Sequence, residues 1–280
     1  MSSPQLSDEK FKQIRDLIYE ESGMYFSDTK KYLLENWLSK RMEEIQLNSF
    51  EEYYYLLRYA PKRREELASL IDQVIVNEAG FFRNMPQLQA FEREIVPKIL
   101  KDNNSGAPKL RIWSAGCSNG QEPYTLAMIL SEMSATKAFK FEPEINANDT
   151  SRAIILEAQK GRYKECYLKN VPDYYKSKYF AKAGEDAYVI SDPIKRMVKF
   201  SIMNLLDEVK VRMIRDMDMI FCRDVLVYFD NEAKKKVVGM FYDALKPEGY
   251  LFIGHSESLH NISWAFKLML FPNAMVYKKE

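Results

Sequence analysis

The chain has 280 residues, enough for one large domain or two modest ones with a sizeable core. Apolar residues make up 46% and charged residues 29%, the balance of a soluble globular protein. A formal net charge of +1 argues against nucleic acid or an anionic membrane as partner, since both demand a basic excess.

The first residues, MSSPQLSDEKFKQ, are polar and lack the apolar stretch of a secretory leader. No apolar run approaches the ~20 residues of a membrane span. Residues 8–21 bring Phe11, Ile14, Leu17 and Ile18 round at a helical period, with Ser7 as N-cap and Gly23 as the stop. Residues 28–45 set Leu34, Trp37, Leu38 and Ile45 on one face of a second helix. Helices over 50–59 and 64–76 follow, separated at Pro61. Residues 1–75 hold 11 Lys/Arg against 14 Asp/Glu, so the helical domain is not basic. Lys30, Trp37 and Arg41 project from much the same side of the second helix. Arg41 there either snorkels or pairs with an acid, or that face meets acidic helices of a partner. The tyrosines at 53–55 read as packing rather than a base-stacking platform, because no basic groove accompanies them.

Residues 74–91 (VIVNEAGFFRNMPQLQAF) form the junction, and 102–108 (DNNSGAP) a loop. Beyond it strands alternate with helices. Strands are predicted at 110–114, 144–148, 198–202, 217–222, 250–254 and 274–278, with helices at 122–134 and 150–160. That alternation predicts a mostly parallel sheet covered on both faces. The stretch 244–254 (ALKPEGYLFIG) reads as helix end, Pro/Gly turn and strand. Three cysteines, Cys117, Cys166 and Cys222, are odd in number and form no CxxC pair, which favours free thiols in a reducing cytoplasm. With only His255 and His260, neither a His-rich metal site nor a His-based triad is expected.

Four motifs carry chemistry. LRIWSAGCSNGQEPY (110–124) is a strand, a glycine-spaced loop and a helix start, where Gly116 and Gly120 allow close backbone approach to a nucleotide-like ligand. An ordinary tight strand–helix turn has the same look. Asp149 ends the next strand, where a carboxylate can accept both ribose hydroxyls or simply cap the following helix. In FCRDVLVYFD (221–230), Arg223 and Asp224 fall at the C-terminal edge of a strand, while Tyr228 and Phe229 either serve the site or pack beneath the next helix. In NEAGFFR (77–83), the phenylalanines suit packing and Arg83 is a site residue or a surface charge.

Taken in order, NEAGFFR, WSAGCSNGQEPYTLAM, FCRDVLVYFD and LFIGHSESL, with GRY at 161–163, resemble the CheR-type chemotaxis receptor methyltransferases over nearly the whole chain. The resemblance implies an α/β, Rossmann-like, seven-stranded and mostly parallel methyltransferase domain, a small all-α N-terminal domain and a short inserted β-subdomain. The matching boundaries are 1–75 for the helical, receptor-recognising domain, 76–90 for a linker carrying part of the cofactor site, and 91–280 for the methyltransferase domain, with the insert at about 168–198. It implies S-adenosylmethionine as methyl donor, S-adenosylhomocysteine as product, and glutamate carboxylates on the cytoplasmic helices of methyl-accepting chemoreceptors as acceptors. By motif position, Arg83 lies beside the methionine carboxylate and the transferred methyl, Glu122 holds the ammonium, and Asp149 binds the ribose. Asn204 and Leu205 border the adenine. Asn77, Ala79, Gly116, Arg223 and Asp224 line the cofactor. Tyr228 orients the incoming carboxylate, so Arg83 and Tyr228 are the catalytic pair.

The chemistry agrees with so few acid–base residues. A glutamate, with pKa near ~4.3, is already ionised at neutral pH and needs no general base. Alignment in a water-poor site is what the protein must supply, and an Arg and a Tyr suffice to aim a carboxylate. The chain departs from the family pattern at three places. Ala79 stands where a threonine is usual, which removes one hydrogen bond worth on the order of 1 kcal/mol. Asp224 replaces an asparagine, and Ser151 replaces an acid. The stretch 181–187 (AKAGEDA) is shorter and poorer in glycine than in members that tether to a receptor's C-terminal peptide, so docking independent of that peptide is expected. A cytoplasmic monomer without nucleic-acid contact or membrane insertion completes the expectation. The alternative is a weakly active or inactive domain that binds S-adenosylmethionine or S-adenosylhomocysteine as a scaffold or sensor.

Overall fold

A computed structural model describes residues 5–22, 24–76, 80–102, 108–136 and 140–280, apart from the side chains of residues 22 and 72–76. The expected stop at Gly23, the junction residues Asn77–Ala79 and most of the 102–108 loop lie outside the described residues. The chain divides into two compact units. One comprises Met1–Glu78 with Val227–Glu232, the other Ala79–Leu226 with Ala233–Glu280.

The helical unit contains α1 (Asp8–Ser22), α2 (Lys31–Glu44), α3 (Phe50–Tyr59) and α4 (Arg63–Val76). Ser7 Oγ accepts the Lys10 N–H at 3.2 Å and Ser49 Oγ the Glu52 N–H at 3.2 Å, so both serve as N-caps. The stretch expected to run from 28 begins instead as a 3₁₀ turn, Asp28–Lys30. Phe11, Ile14, Ile18, Phe26, Leu34, Leu38, Tyr53 and Leu70 fill the core. Arg41 belongs to this interior. Its Nε and Nη2 grip the two oxygens of Glu66, each at 2.8 Å, Tyr53 donates to the same carboxylate at 2.8 Å, and Glu44 adds a fourth contact at 2.9 Å. Of the two expectations for Arg41, pairing with an acid is what occurs.

The second unit begins with α5 (Met85–Ala90), a π-helical turn (Phe91–Ile95) and α6 (Val96–Asp102). There follow β1 (Lys109–Ala115), α7 (Gln121–Ala135), β2 (Glu142–Asp149) and α8 (Arg152–Lys160). Next come β3 (Arg162–Lys164), α9 (Asp173–Tyr179), β4 (Phe180–Lys182), β5 (Ala187–Ile190) and α10 (Asp192–Arg196). The chain continues through β6 (Val198–Ile202), α11 (Glu208–Val211), β7 (Met217–Cys222) and α12 (Asn231–Ala244). It ends with β8 (Leu245–Ile253), β9 (Phe266–Phe271) and β10 (Ala274–Lys279).

The main sheet has seven strands in the order β6-β2-β1-β7-β8-β10-β9. The first five are parallel, and β10 runs antiparallel to both β8 and β9. This is the expected Rossmann-like architecture with an all-α N-terminal domain. β7 is buried at every position and α7 at most, because the central strands of a parallel sheet are covered on both faces. Near the N-terminal end of β7 the buried Asp218 accepts the Arg111 N–H at 2.8 Å and the Lys246 ammonium at 2.7 Å.

The small sheet, β3-β5-β4, is antiparallel. Its first strand precedes the expected insert at 168–198. Gly161 caps α8 with φ +61° and turns the chain straight into β3. There the Tyr163 hydroxyl donates to the Asn119 carbonyl at 2.7 Å. β9 is absent from the expected strands because Leu268 and Leu270 are both exposed and KLMLF shows no clean alternation. Among the described residues no helix is long and apolar enough to cross a membrane.

Candidate functional site

The C-terminal ends of β1, β2, β6 and β7 bring most of the predicted residues to one edge of the sheet, where open α/β folds bind ligands. After β1 the chain makes a tight loop. Gly116 (φ +81°), Ser118 (φ +49°) and Gly120 (φ +88°) are all left-handed. A Cβ on Gly116 would stand 2.6 Å from Val225 Cγ2, so this position needs glycine for space as well as conformation. The Gly116 and Cys117 N–H groups both donate to the Asn148 carbonyl at 2.9 Å, tying the loop to β2. Asn148 in turn accepts from Trp113 Nε1 at 2.6 Å and donates to the Met203 carbonyl at 3.0 Å.

Two carboxylates flank this loop, Asp149 buried and Glu122 mostly so. Glu122, in the first turn of α7, accepts the Ser114 hydroxyl at 2.8 Å and lies 3.4 Å from Arg223 Nη1. Burial pushes its pKa above the ordinary carboxylate value, opposed by Arg223 and Ser114. Asp149, the last residue of β2, accepts the Ser118 N–H at 2.9 Å. Burial raises it too, against the hydrogen bonds from the Ser118, Ser151 and Thr150 backbone. The cap of α8 is Ser151, whose Oγ accepts the Ile154 N–H at 3.2 Å, and Asp149 is left facing the glycine loop.

Arg83 sits between Phe82 (φ +51°) and Asn84 (φ +57°), two left-handed residues that turn the chain sharply. Its carbonyl accepts Arg223 Nη2 at 2.6 Å, and its guanidinium lies 3.2 Å from Asp224 Oδ2. Asp224 is itself left-handed (φ +61°). Its N–H and that of Gly254 donate to Glu257 at 3.0 Å and 2.6 Å. Glu257 is thus a structural anchor of the site that spacing did not single out, although the GHSES stretch contains it. Met203 N–H donates to the Asp149 carbonyl at 2.9 Å, which brings Asn204 and the buried Leu205 to the same edge. Asn77 and Ala79 lie outside the described residues.

Tyr228 is grouped differently. It ends a 3₁₀ turn, Leu226–Tyr228, and the segment Val227–Glu232 belongs to the helical unit. There its ring meets Phe26 edge-on, centroids 6.0 Å apart, and packs on the helical core.

The donor set suits the expected cofactor. Buried ionisable carboxylates suit an ammonium and vicinal hydroxyls. Asn119 Oδ1, both amide atoms of Gln121 and Arg223 Nε are buried without a hydrogen-bond partner among the described residues, polar capacity that a ligand at this loop would use. Among the described residues no group of three or more His, Cys, Asp or Glu side chains is arranged to hold a metal ion.

Comparison with known proteins agrees. Residues 77–275 match the family described as CheR methyltransferase, SAM binding domain, and residues 9–75 match CheR methyltransferase, all-alpha domain. Chemotaxis protein methyltransferase 2 of Vibrio cholerae is 34% identical, covering 98% of this chain and 94% of that protein. The chemotaxis protein methyltransferase of Borreliella burgdorferi is 35% identical, covering 91% and 89%. Chemotaxis protein methyltransferase 1 of Pseudomonas aeruginosa is 30% identical, covering 96% and 97%.

Proposed function

Since this chain belongs to the CheR methyltransferase family, a family of S-adenosylmethionine-dependent methyltransferases, we propose that it methylates glutamate side chains on the cytoplasmic helices of chemoreceptors, forming glutamyl methyl esters in chemotactic adaptation. The observation that carries the proposal is the pair of largely buried carboxylates, Glu122 and Asp149, flanking the left-handed glycine loop. Such groups suit an ammonium and vicinal hydroxyls, and transfer to an already ionised carboxylate asks only that the donor be bound and oriented.

When bound, S-adenosylmethionine supplies a methyl on a sulfonium. That methyl would pass to an acceptor carboxylate oxygen while the sulfur took the bonding pair, so no residue of this chain need move a proton. Glu122 would hold the ammonium, with Ser114 and Arg223 opposing the burial that raises its pKa. Asp149 accepts the ribose hydroxyls, oriented by the Ser118 N–H. Asn204 and Leu205 border the base. Arg83 takes the methionyl carboxylate and Gly116 lines the cofactor; Asn77 and Ala79, given to the same lining by motif position, lie outside the described residues. Tyr228 aims the acceptor carboxylate.

Transfer of radiolabelled methyl from S-adenosylmethionine to the organism's own receptor membranes, followed by mild alkali, is the test. Label on receptor released as methanol is the expected result. The Arg83–Asp224 ion pair favours a second reading, a weakly active or inactive cofactor-binding scaffold or sensor, because it occupies the arginine assigned to the cofactor. That reading is upheld by cofactor binding without label transfer. The short turn between β4 and β5, closed by the Ala183 N–H to the Ala187 carbonyl at 2.7 Å, supports docking independent of a receptor's C-terminal peptide. Tight binding of such a pentapeptide would count against it.

A further inference from the structure

The segment Val227–Glu232, which carries Tyr228, is held by α1 and by the residues that link α1 to α2. The Tyr25 N–H donates to the Tyr228 carbonyl at 2.5 Å. The Lys30 ammonium donates to the Val227 carbonyl at 3.0 Å and stands 5.6 Å from the centre of the Tyr228 ring. The Tyr19 hydroxyl donates to Asp230 Oδ2 at 3.0 Å. The strap itself is anchored. Phe26 is fully buried and meets Trp37 edge-on at 5.8 Å, and the Lys30 N–H closes the Asp28–Lys30 turn on the Ser27 carbonyl at 2.8 Å.

Two successive carbonyls, those of Val227 and Tyr228, are therefore gripped from one strap, and a tyrosine whose backbone is fixed has only two side-chain torsions left. An ammonium–carbonyl bond is among the stronger hydrogen bonds, and a cation over the ring restrains its tilt.

We propose that Lys30 is a positioning residue for methyl transfer, acting through Tyr228 by fixing the Val227–Tyr228 turn and the tilt of its ring. This rests on the methyl-transfer reading above, in which Tyr228 aims the acceptor carboxylate.

The experiment is steady-state methylation of receptor membranes with labelled S-adenosylmethionine, using wild type, Lys30→Met, Lys30→Arg, Tyr19→Phe, Tyr228→Phe and the Lys30→Met/Tyr228→Phe and Tyr19→Phe/Tyr228→Phe pairs. Lys30→Met should lower kcat by about tenfold to a hundredfold, the scale of a small misplacement of an aligning group. The KM for receptor and the Kd for S-adenosylhomocysteine should hold, and Lys30→Arg should recover most of the rate. In the Tyr228→Phe background, Lys30→Met should cost nothing more. Tyr19→Phe removes only the bond to Asp230 and should show a smaller loss with the same non-additivity, which keeps the question decidable if Lys30→Met fails to fold. A raised KM at unchanged kcat, losses that multiply in the double variant, or a lowered thermal midpoint without rescue by arginine would each overturn the proposal. A wild type that transfers no label is instead a failure of the methyl-transfer reading. A labelling wild type, an impaired Tyr228→Phe and an intact Lys30→Met is a failure of the Lys30 inference alone.

Discussion

Glu122 Oε2 and Arg223 Nη1 lie 3.4 Å apart, with the arginine side chain almost wholly buried and the carboxylate mostly so. Burial favours the neutral acid, while the guanidinium and the Ser114 hydroxyl favour the carboxylate. The raised pKa means that this carboxyl's contribution to fold stability is fully present below the ordinary glutamate pKa and is lost as pH rises through the raised value. Binding of an ammonium runs the other way, since it needs the ionised form. Cofactor affinity should therefore rise as pH climbs through the raised pKa, and the thermal stabilisation by S-adenosylhomocysteine should grow with it. Glu122→Gln should weaken binding roughly tenfold to a hundredfold, the cost of a charge-assisted hydrogen bond, and flatten this pH dependence. Calorimetric titration from acid to neutral pH checks both. Unchanged affinity and slope would sink the assignment.

The Arg83–Asp224 pair predicts a gain of affinity from a substitution. Asp224 has φ +61°, a conformation asparagine also tolerates, so Asp224→Asn should keep the backbone. A neutral amide no longer holds the Arg83 guanidinium as an ion pair. If Arg83 serves the methionyl carboxylate, S-adenosylhomocysteine should bind about threefold to fivefold tighter, in keeping with the modest worth of a partly exposed pair. Weaker binding would show instead that the Asp224 carboxylate itself serves the ligand.

The sheet and the glycine loop were legible because parallel central strands read as apolar runs, and because positive-φ glycines at a strand–helix turn leave a visible spacing. The edge hairpin was not. β9 exposes Leu268 and Leu270, and its partner contacts are set by tertiary pairing with β10 rather than by alternation. The small sheet began early because Gly161 caps a helix and starts a strand at once, two roles that sequence spacing does not separate. At the site, Asp149 stood out by its place at a strand end, with ribose binding and helix capping both open, while Glu122 came only from the family resemblance. The anchoring by Glu257 was not, because its two N–H donors, Asp224 and Gly254, come from the ends of two different strands.

The loop glycine carries a steric prediction. Gly116→Ala adds a left-handed alanine, costing roughly 1–2 kcal/mol, and a Cβ that meets Val225 Cγ2 at 2.6 Å. Stability should fall by at least that amount and cofactor affinity should fall as the loop shifts. Val225→Ala removes the obstructing methyls, so the double variant should recover part of the affinity that Gly116→Ala loses. Chemical denaturation and titration on the three variants decide this. No recovery would mean that backbone strain, and not the contact, sets the cost.

Arg41 should matter for stability and not for the cofactor. Its guanidinium holds both oxygens of Glu66, which also accepts from Tyr53, and both charged side chains are mostly buried. The Glu66 hydrogen bond pushes the arginine pKa further up, so it stays charged throughout the working range. For Tyr53, burial first and Glu66 second raise the phenol, which stays neutral and donates. Arg41→Met therefore leaves Glu66 a half-buried carboxylate with one neutral donor. Full burial of such an orphan costs about 3–5 kcal/mol, and the residual exposure here reduces that to roughly 2–3 kcal/mol. Combining it with Glu66→Gln should recover much of the loss, because the uncompensated charge is gone. S-adenosylhomocysteine affinity should be unchanged in the folded variant, since every described residue assigned to the cofactor lies in the other unit. A loss of receptor methylation in Arg41→Met without any loss of stability is the outcome that would return this arginine to the partner-facing surface.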